Sequence, residues 1–381
     1  MKESTAIIDI GSSTIVTLIG EHGVNNTFKI LGKGVISYAG FQNAEFLEPD
    51  SLKYAIAQSI SNAEITSETK VSRVYIGVPG EFSTCVTKSI NLTFPRTKKV
   101  SKFDVDNIFK TGDTFQDDKK YVVVNNTVIY YELDSSRRVI DPIDEKAKSI
   151  TGSISYILAE KQFISKLKSV FKDLKIGIAG FISSTLAECL YLFENSVRDR
   201  YVLMVDVGYI TTTVALSRGN ALLYMNSFSL GGGYITSDLS QCLKISFTEA
   251  ERLKHKIVLG WNPKDSDTYE IEGEELMQSF SAKAANEIAA DRVQMICDYI
   301  NKCLERCKYD LPEFLPIYFV GGGFNYIQGI KHIISKKIKR RVEFIKVVKN
   351  REIRPYDASE EGLLNLILNY GHILDDMIVN V

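Results

Sequence analysis

Two short stretches put an acid, a glycine and hydroxyl side chains at the end of an apolar run. In AIIDIGSSTIVTLIGE (residues 6–21), Asp9 follows a β-branched run. Gly11, Ser12, Ser13 and Thr14 come next, before a second apolar run opens at Ile15. In LMVDVGYITTTVAL (203–216), Asp206, Gly208 and Thr211 stand 197 residues after Asp9, Gly11 and Thr14. A glycine turn exposes successive backbone N–H groups, which form a nest for an anion. The missing Cβ lets a phosphate come close. An aspartate cannot bind phosphate directly, but it can hold Mg²⁺, usually through water, and the metal neutralises phosphate charge. One such turn is common. Two in the same strand–turn–strand setting suggest duplicated halves facing one another. They read either as the jaws of a Mg-nucleotide clamp, with Asp9 and Asp206 at the metal, or as two ordinary hairpin turns capped by hydroxyls.

A third element favours the clamp. PIYFVGGGFNYIQGI (316–330) is an apolar strand, then Gly321, Gly322, Gly323 and Phe324, then a helix-like run. Bare backbone there would let a purine or ribose lie flat. A fourth, LGGGYITSDLSQCLKISFTEAERLKHKI (230–257), has a turn at Gly231, Gly232 and Gly233 followed by two helical runs. Glu251 and Lys254 are three apart, so they share one helix face and could reach ribose hydroxyls and adenine; a surface ion pair is the competing reading. Neither GxxxxGK[ST] nor GxGxxG occurs, which excludes the P-loop and the dinucleotide fingerprint.

The elements that must position these residues alternate between strand-like and helical runs, predicting an α/β fold. Strands are expected at 5–10, 15–20, 73–78, 121–130, 154–159, 175–180, 202–207, 212–217, 221–226 and 316–320. Helices are expected at 50–63, 161–173, 184–195, 247–258, 281–308 and 359–378. Residues 83–153 break the alternation, being polar, charge-clustered and β-rich with one short helix; they read as an inserted module, removable without unfolding the rest. Residues 260–280 read as an exposed loop. A chain of 381 residues, 45% hydrophobic and with net charge −1, has room for two or three domains and no electrostatic case for nucleic acid. Six cysteines without a CxxC pair form no disulfide framework, and Cys297, Cys303 and Cys307 read as buried thiols on a helix. No run is long and apolar enough for a membrane span, and no signal peptide is read, so the expected compartment is the reducing cytosol.

The order Asp-x-Gly, Asp-x-Gly, Gly-Gly-Gly resembles the actin-like ATPase superfamily, which includes heat-shock chaperones and sugar kinases. Within it the likeness is to the bacterial cell-division family FtsA. It is carried by DIGSST (9–14), IGVPGE (76–81), AGFISS (179–184), GGGYITSDLS (231–240), FTEAERLKHK (247–256), VGGGFNYIQGI (320–330) and the closing EEGLLNLIL (360–368). The resemblance implies two ribonuclease H-like domains around a nucleotide cleft, with an inserted 1C-type (SHS2) α+β module. It places domain 1A at 1–82, 154–197 and 351–381, the module at 83–153, domain 2A at 198–239 and 305–350, and subdomain 2B at 240–304. It implies ATP and Mg²⁺ as cofactors and assembly into filaments. It also implies a link from the FtsZ ring to the membrane, recruitment of later division proteins through the 83–153 module, and a place on the inner face of the cell membrane at the division site. The FtsZ C-terminal tail would meet 2B, where Lys283, Arg292 and Lys302 are candidate cations against a solvated helix face as the plainer reading.

Three departures from the family pattern set further expectations. The second turn reads DVGYIT, so Tyr209 and Ile210 are expected where bare backbone would meet phosphate. The bridging stretch FISSTLAE shows Ser183 and Ser184 where chaperones of the superfamily place a water-orienting glutamate, so slow hydrolysis is expected. The chain closes on GLLNLILNYGHILDDMIVNV, which has no lysine or arginine. It is expected as a core helix, not the basic amphipathic helix of an interfacial anchor, and membrane contact is expected only through partners. The basic run KKIKRR (336–341) reads as a solvated helix end, with a patch for a membrane or an acidic partner as the competing reading. The alternative is a PilM-like cytoplasmic component of type IV pilus assembly, which shares the fold and module. A metabolite kinase or a chaperone would need segments that are not found.

Overall fold

The computed structural model describes residues 4–25, 27–273, 276–345, 347–348, 351–352 and 357–370. The chain opens with β1 (Thr5–Ile10), β2 (Thr14–His22) and β3 (Phe28–Ser37). A small hairpin of β4 (Phe41–Gln42) and β5 (Glu45–Phe46) follows, then α1 (Pro49–Ser67) and β6 (Arg73–Val78). The inserted segment supplies β7 (Ser83–Lys99), α2 (Lys102–Gly112), β8 (Tyr121–Leu133), β9 (Arg137–Val139) and β10 (Lys146–Glu160). After α3 (Lys161–Leu174) and β11 (Gly177–Ser183), α4 (Ser184–Leu192) and the short α5 (Asn195–Arg198) lead into the second half. There β12 (Val202–Val207), β13 (Thr212–Arg218) and β14 (Ala221–Phe228) precede α6 (Gly233–Leu243) and α7 (Phe247–Lys254). A hairpin of β15 (Thr268–Glu272) and β16 (Met277–Ser281) leads to α8 (Ala282–Arg306). The second half is completed by β17 (Ile317–Val320), α9 (Gly322–Asn325), α10 (Ile330–Ile338) and β18 (Val342–Phe344), and α11 (Ala358–Asn369) returns to the first.

The two halves repeat one plan. The first sheet runs β11-β6-β1-β2-β3 and the second β18-β17-β12-β13-β14. In each, the first three strands are parallel and the last two antiparallel. The register matches as well, with Asp9 opposite Val16 and Asp206 opposite Thr213, seven residues on in both. The core strands are near-continuously apolar because both faces are covered. In β1, Ala6, Ile7, Ile8 and Ile10 are all buried. Between the sheets lies α4, whose nine residues Ser184–Leu192 are all buried. On one side α4 packs against α11, and Cys189 reaches Met204 of β12.

The module is a four-stranded sheet, β7-β10-β8-β9, with α2 laid on it. It has its own apolar cluster around Ile108, Tyr131, Ile150 and Tyr156. Its long strands continue into the first half, where Val124, Ile157 and Ala159 join the main core. They also reach the second half. Cys85 Sγ and Ser155 Oγ both donate to the Leu222 carbonyl (3.1 and 2.5 Å), and the Thr87 hydroxyl meets the Tyr309 hydroxyl at 2.9 Å.

Residues 260–280 differ from the expected loop. They carry the β15–β16 hairpin, with Tyr269 and Ile271 buried between exposed acids, an alternation masked by its glutamates. The β3 strand is a second difference, because its glycines Gly32 and Gly34 weaken the strand signal; they let α1 approach, since a Cβ on Gly34 would stand 1.9 Å from the Ser59 carbonyl oxygen. The closing helix is described to Asn369, and residues 371–381 of the expected terminal helix lie outside the described residues. All six cysteines are free thiols. No described helix is long and apolar enough to cross a membrane.

One buried cation ties the crossing between the halves. Arg198 is 1% exposed. It donates to the carbonyls of Phe193 (2.8 Å) and Gly219 (2.5 Å) and to the side-chain oxygens of Asn195 and Asn220. Replacing it with Met leaves those buried acceptors without donors, so Arg198→Met should lower the unfolding free energy by about 3 kcal/mol. Denaturant unfolding measures this, and a loss under about 1 kcal/mol would show that water replaces the guanidinium.

Candidate nucleotide site

The two Asp-x-Gly turns are built alike. Gly11 N–H donates to the Thr14 carbonyl at 2.9 Å, and Gly208 N–H donates to the Thr211 carbonyl at 2.9 Å. They face each other closely enough that Ile210 N–H of the second turn donates to Ser12 Oγ of the first (3.1 Å). Between them opens a cavity of about 390 Å³. Its walls include Asp9, Gly11, Ser12, Ser13, Thr14, Asp206, Gly208, Thr211, Glu251, Lys254, Gly321 and Gly322. The duplicated motif and the ribose-side pair therefore converge on one space.

The remaining expected residues lie behind that wall. Gly208, Gly231–Gly233 and Gly323 are stacked backbone on backbone. Gly232 and Gly233 N–H donate to the carbonyls of Gly208 and Tyr209 (2.9 and 2.7 Å). A Cβ on Gly232 would meet the Gly323 carbonyl oxygen at 2.4 Å, and one on Gly323 would meet that of Gly208 at 2.4 Å. Phe324 is fully buried against Phe319. Gly321 has φ +82°, which favours glycine, and a Cβ there would stand 2.1 Å from Asp206 Oδ1.

The cavity also gathers Ser184 and Tyr209 of the two departing stretches, and side chains that the motifs did not reveal: Lys33, Glu188, Asp357, Ser359 and Glu360. Ser184 and Glu188 are four apart on α4 and share a face, and Ser184 Oγ donates to Asp9 Oδ1 at 2.9 Å. This corrects the reading of FISSTLAE, which found no carboxylate for the cleft. Glu188 is 3% exposed and lines it. It was hidden because it sits in an otherwise apolar helix, one turn past the serines. Lys33 of β3 reaches Asp357 Oδ1 (2.7 Å) and Glu360 Oε1 (3.0 Å), tying β3 to α11.

Burial dominates the electrostatics. It pushes Asp206 up to about 7, with Asp9 adding to the effect. It raises Asp9 against the hydrogen bonds from Ser184 and Ser359. It drives Glu188 well above the ordinary carboxylate range, helped by Asp206, Asp9 and Glu360. It takes Glu360 to about 8, where Lys33 opposes the rise and Asp9 and Asp357 add to it. Acids crowded this way fit a divalent cation, which relieves both desolvation and mutual repulsion. Among the described residues no group of three or more His, Cys, Asp or Glu is placed to hold a metal. A cation between Asp9 and Asp206 would therefore take water or phosphate oxygens as its other ligands, as Mg²⁺ does.

The side chains that depart from the bare-glycine pattern leave the turn in different directions. Ile210 runs toward Gly40, whose added Cβ would lie 2.9 Å from Ile210 Cδ1. Tyr209 runs toward α6 and α7, so neither sits on the Gly208 N–H. On the second half, Lys283 pairs with Asp265 (3.1 Å), Arg292 pairs with Asp238 (2.6 Å) and Lys302 lies over the Tyr299 ring. In the basic run, Lys337 pairs with Asp298, Arg341 pairs with Glu343, and Arg340 donates to the carbonyls of Pro312 and Leu315.

Comparison with known proteins agrees with this geometry. The family model described as "Cell division protein FtsA" matches residues 203–356. The FtsA of Neisseria meningitidis serogroup B is 22% identical over 335 residues, covering 87% of this chain and 81% of its own. That of Streptococcus pneumoniae is 24% identical over 320 residues, covering 83% and 69%. This chain is similar to FtsA over most of its length. Solved structures show the same fold. MreB5 of Spiroplasma citri bound to AMPPNP matches with TM-score 0.59 at 11% identity, over 99% of both chains. A PilM–PilN type IV pilus biogenesis complex matches with TM-score 0.61 at 13% identity, also over 99% of both.

The raised carboxylates fix a sign for pH dependence in the metal-free protein. A buried acid with a folded pKa near 8 holds its proton when the unfolded chain, near 4.3, has lost it. The folded state then binds more protons, so stability falls as pH rises from about 5 to 8. Melting temperature should drop across that window and flatten in Glu360→Gln. An unchanged slope in the variant would place the titration elsewhere.

Proposed function

We propose that this protein is an ATP-binding, actin-like cell-division protein that assembles into filaments. In this reading it is cytoplasmic and links the FtsZ ring to the inner face of the cell membrane at the division site. The observation that carries the nucleotide part is the pair of Asp-x-Gly turns, identical in register and hydrogen bonding, facing across one cavity walled by buried acids. Asp9 and Asp206 would hold Mg²⁺, whose charge offsets that of the phosphates. The backbone and hydroxyls of Gly11, Ser12, Ser13, Thr14, Gly208 and Thr211 would line the seat of the phosphate oxygens. Glu251 and Lys254 would face the ribose and base. Glu188, at the cavity wall, would orient a water.

Two binding experiments follow. Calorimetry with ATP and Mg²⁺ should show binding that Asp206→Ala weakens at least about tenfold, no less than the loss of a metal site's supporting group costs. Glu188→Gln should keep that affinity and lower phosphate release by about 10²–10⁴-fold. Wild-type affinity in Asp206→Ala would remove the clamp, and unchanged release in Glu188→Gln would remove its role.

The division role rests on the sequence relatives; the likeness to the pilus complex is one of fold alone. In this reading the FtsZ C-terminal tail docks on the region 240–304, and the 83–153 module takes later division proteins. Reaching the membrane falls to partners. A labelled acidic peptide with the sequence of that tail should bind the full chain. Binding should weaken when Lys283 and Lys302 are both made Ala, because their pairings lie on the surface. Equal binding by the double variant moves the contact elsewhere, and no binding by the wild type sinks the link.

A further inference from the structure

The ribose side of the cavity is already covered by a side chain. Tyr209 leaves the second turn and lays its ring on the glycine turn of α6, so that a Cβ on Gly233 would stand 2.7 Å from the ring. Its hydroxyl lies 3.4 Å from Glu251 Oε2. That same oxygen takes hydrogen bonds from Thr236 Oγ1 and Lys254 Nζ (2.8 Å). The Lys254 ammonium, 3% exposed, lies 5.3 Å from the centre of the Tyr209 ring. The two residues expected to meet a nucleoside are thus engaged by a side chain of the protein itself. Tyr209, Glu251 and Lys254 line the same cavity as the Gly11 and Gly208 turns and both aspartates, with Lys254 buried beside the ring and Glu251 about a third exposed.

We infer that Tyr209 is a gate on the nucleoside half of the site: it covers Lys254 and engages Glu251, and must swing out before a nucleoside can reach Lys254. The inference rests on the nucleotide reading above and adds to it a selectivity. A phosphate chain without a nucleoside meets no gate, whereas ATP must displace the tyrosine. The ring holds its place through stacking on Gly233, the cation beside it and the hydroxyl contact to Glu251. Removing the hydroxyl alone should therefore loosen the gate in part, and removing the whole side chain should open it. A binding-competent state that is only fractionally populated lowers apparent affinity by that fraction. A gate shut in about nine molecules of ten costs about tenfold.

The test is calorimetry of the full chain with Mg²⁺ and either ATP or inorganic tripolyphosphate, on wild type, Tyr209→Phe and Tyr209→Gly. Thermal melts confirm that each variant is folded. The expected result is ATP affinity raised about tenfold in Tyr209→Gly and less in Tyr209→Phe, with tripolyphosphate affinity unchanged in both. Unchanged or weaker ATP binding in a folded Tyr209→Gly overturns the gate and leaves the nucleotide reading intact. An equal rise for both ligands also overturns it, since the tyrosine would then obstruct the phosphates. Binding of neither ligand by any of the three proteins overturns the nucleotide reading and the gate with it.

Discussion

Carboxylates buried away from bulk water are the constraint around which this molecule is arranged. Asp9 and Asp206 end equivalent strands of two different sheets, and Glu188 and Glu360 come from the helices packed between and beside them. Each one alone would resist burial, and together they repel. Lys33 answers Glu360 and Asp357, and Ser184 answers Asp9, whereas burial holds Asp206 and Glu188 toward their protonated forms.

That arrangement explains which parts were legible in the residues alone. The Asp-x-Gly turns could be read because their chemistry is local: four or five consecutive residues make the turn, the nest and the acid. The duplication in register was implicit in a constant offset of 197 residues. Glu188 and Lys33 could not be read this way, since α4 and β3 give no hint of facing the cleft until both sheets are assembled. The acidic hairpin at 268–281 was hidden because its exposed face carries the glutamates that a loop would also carry. Tyr209 looks like an obstacle to phosphate in the linear chain, because the direction of a side chain leaving a turn depends on neighbours such as Gly233 that are distant in sequence.

The inserted module has two roles in the fold. Its own cluster around Ile108 and Tyr156 makes it a body, but β7 and β10 run on into the main core and hydrogen-bond to Leu222 of the second sheet. Anything that binds the module pulls on strands that touch both halves. β7 of the module begins three residues after Gly80, which lines the cleft.

The stack of glycine turns at Gly208, Gly232 and Gly323 has a consequence for how this site can change over time. A Cβ on Gly232 would need the space of the Gly323 backbone, and one on Gly323 that of Gly208, so a side chain added at either displaces the next turn. Variation is therefore channelled to the tips, residues 209 and 210, whose side chains escape the stack. A lineage carrying this fold can retune its pocket there by single substitutions, while the three turns behind can be altered only in concert.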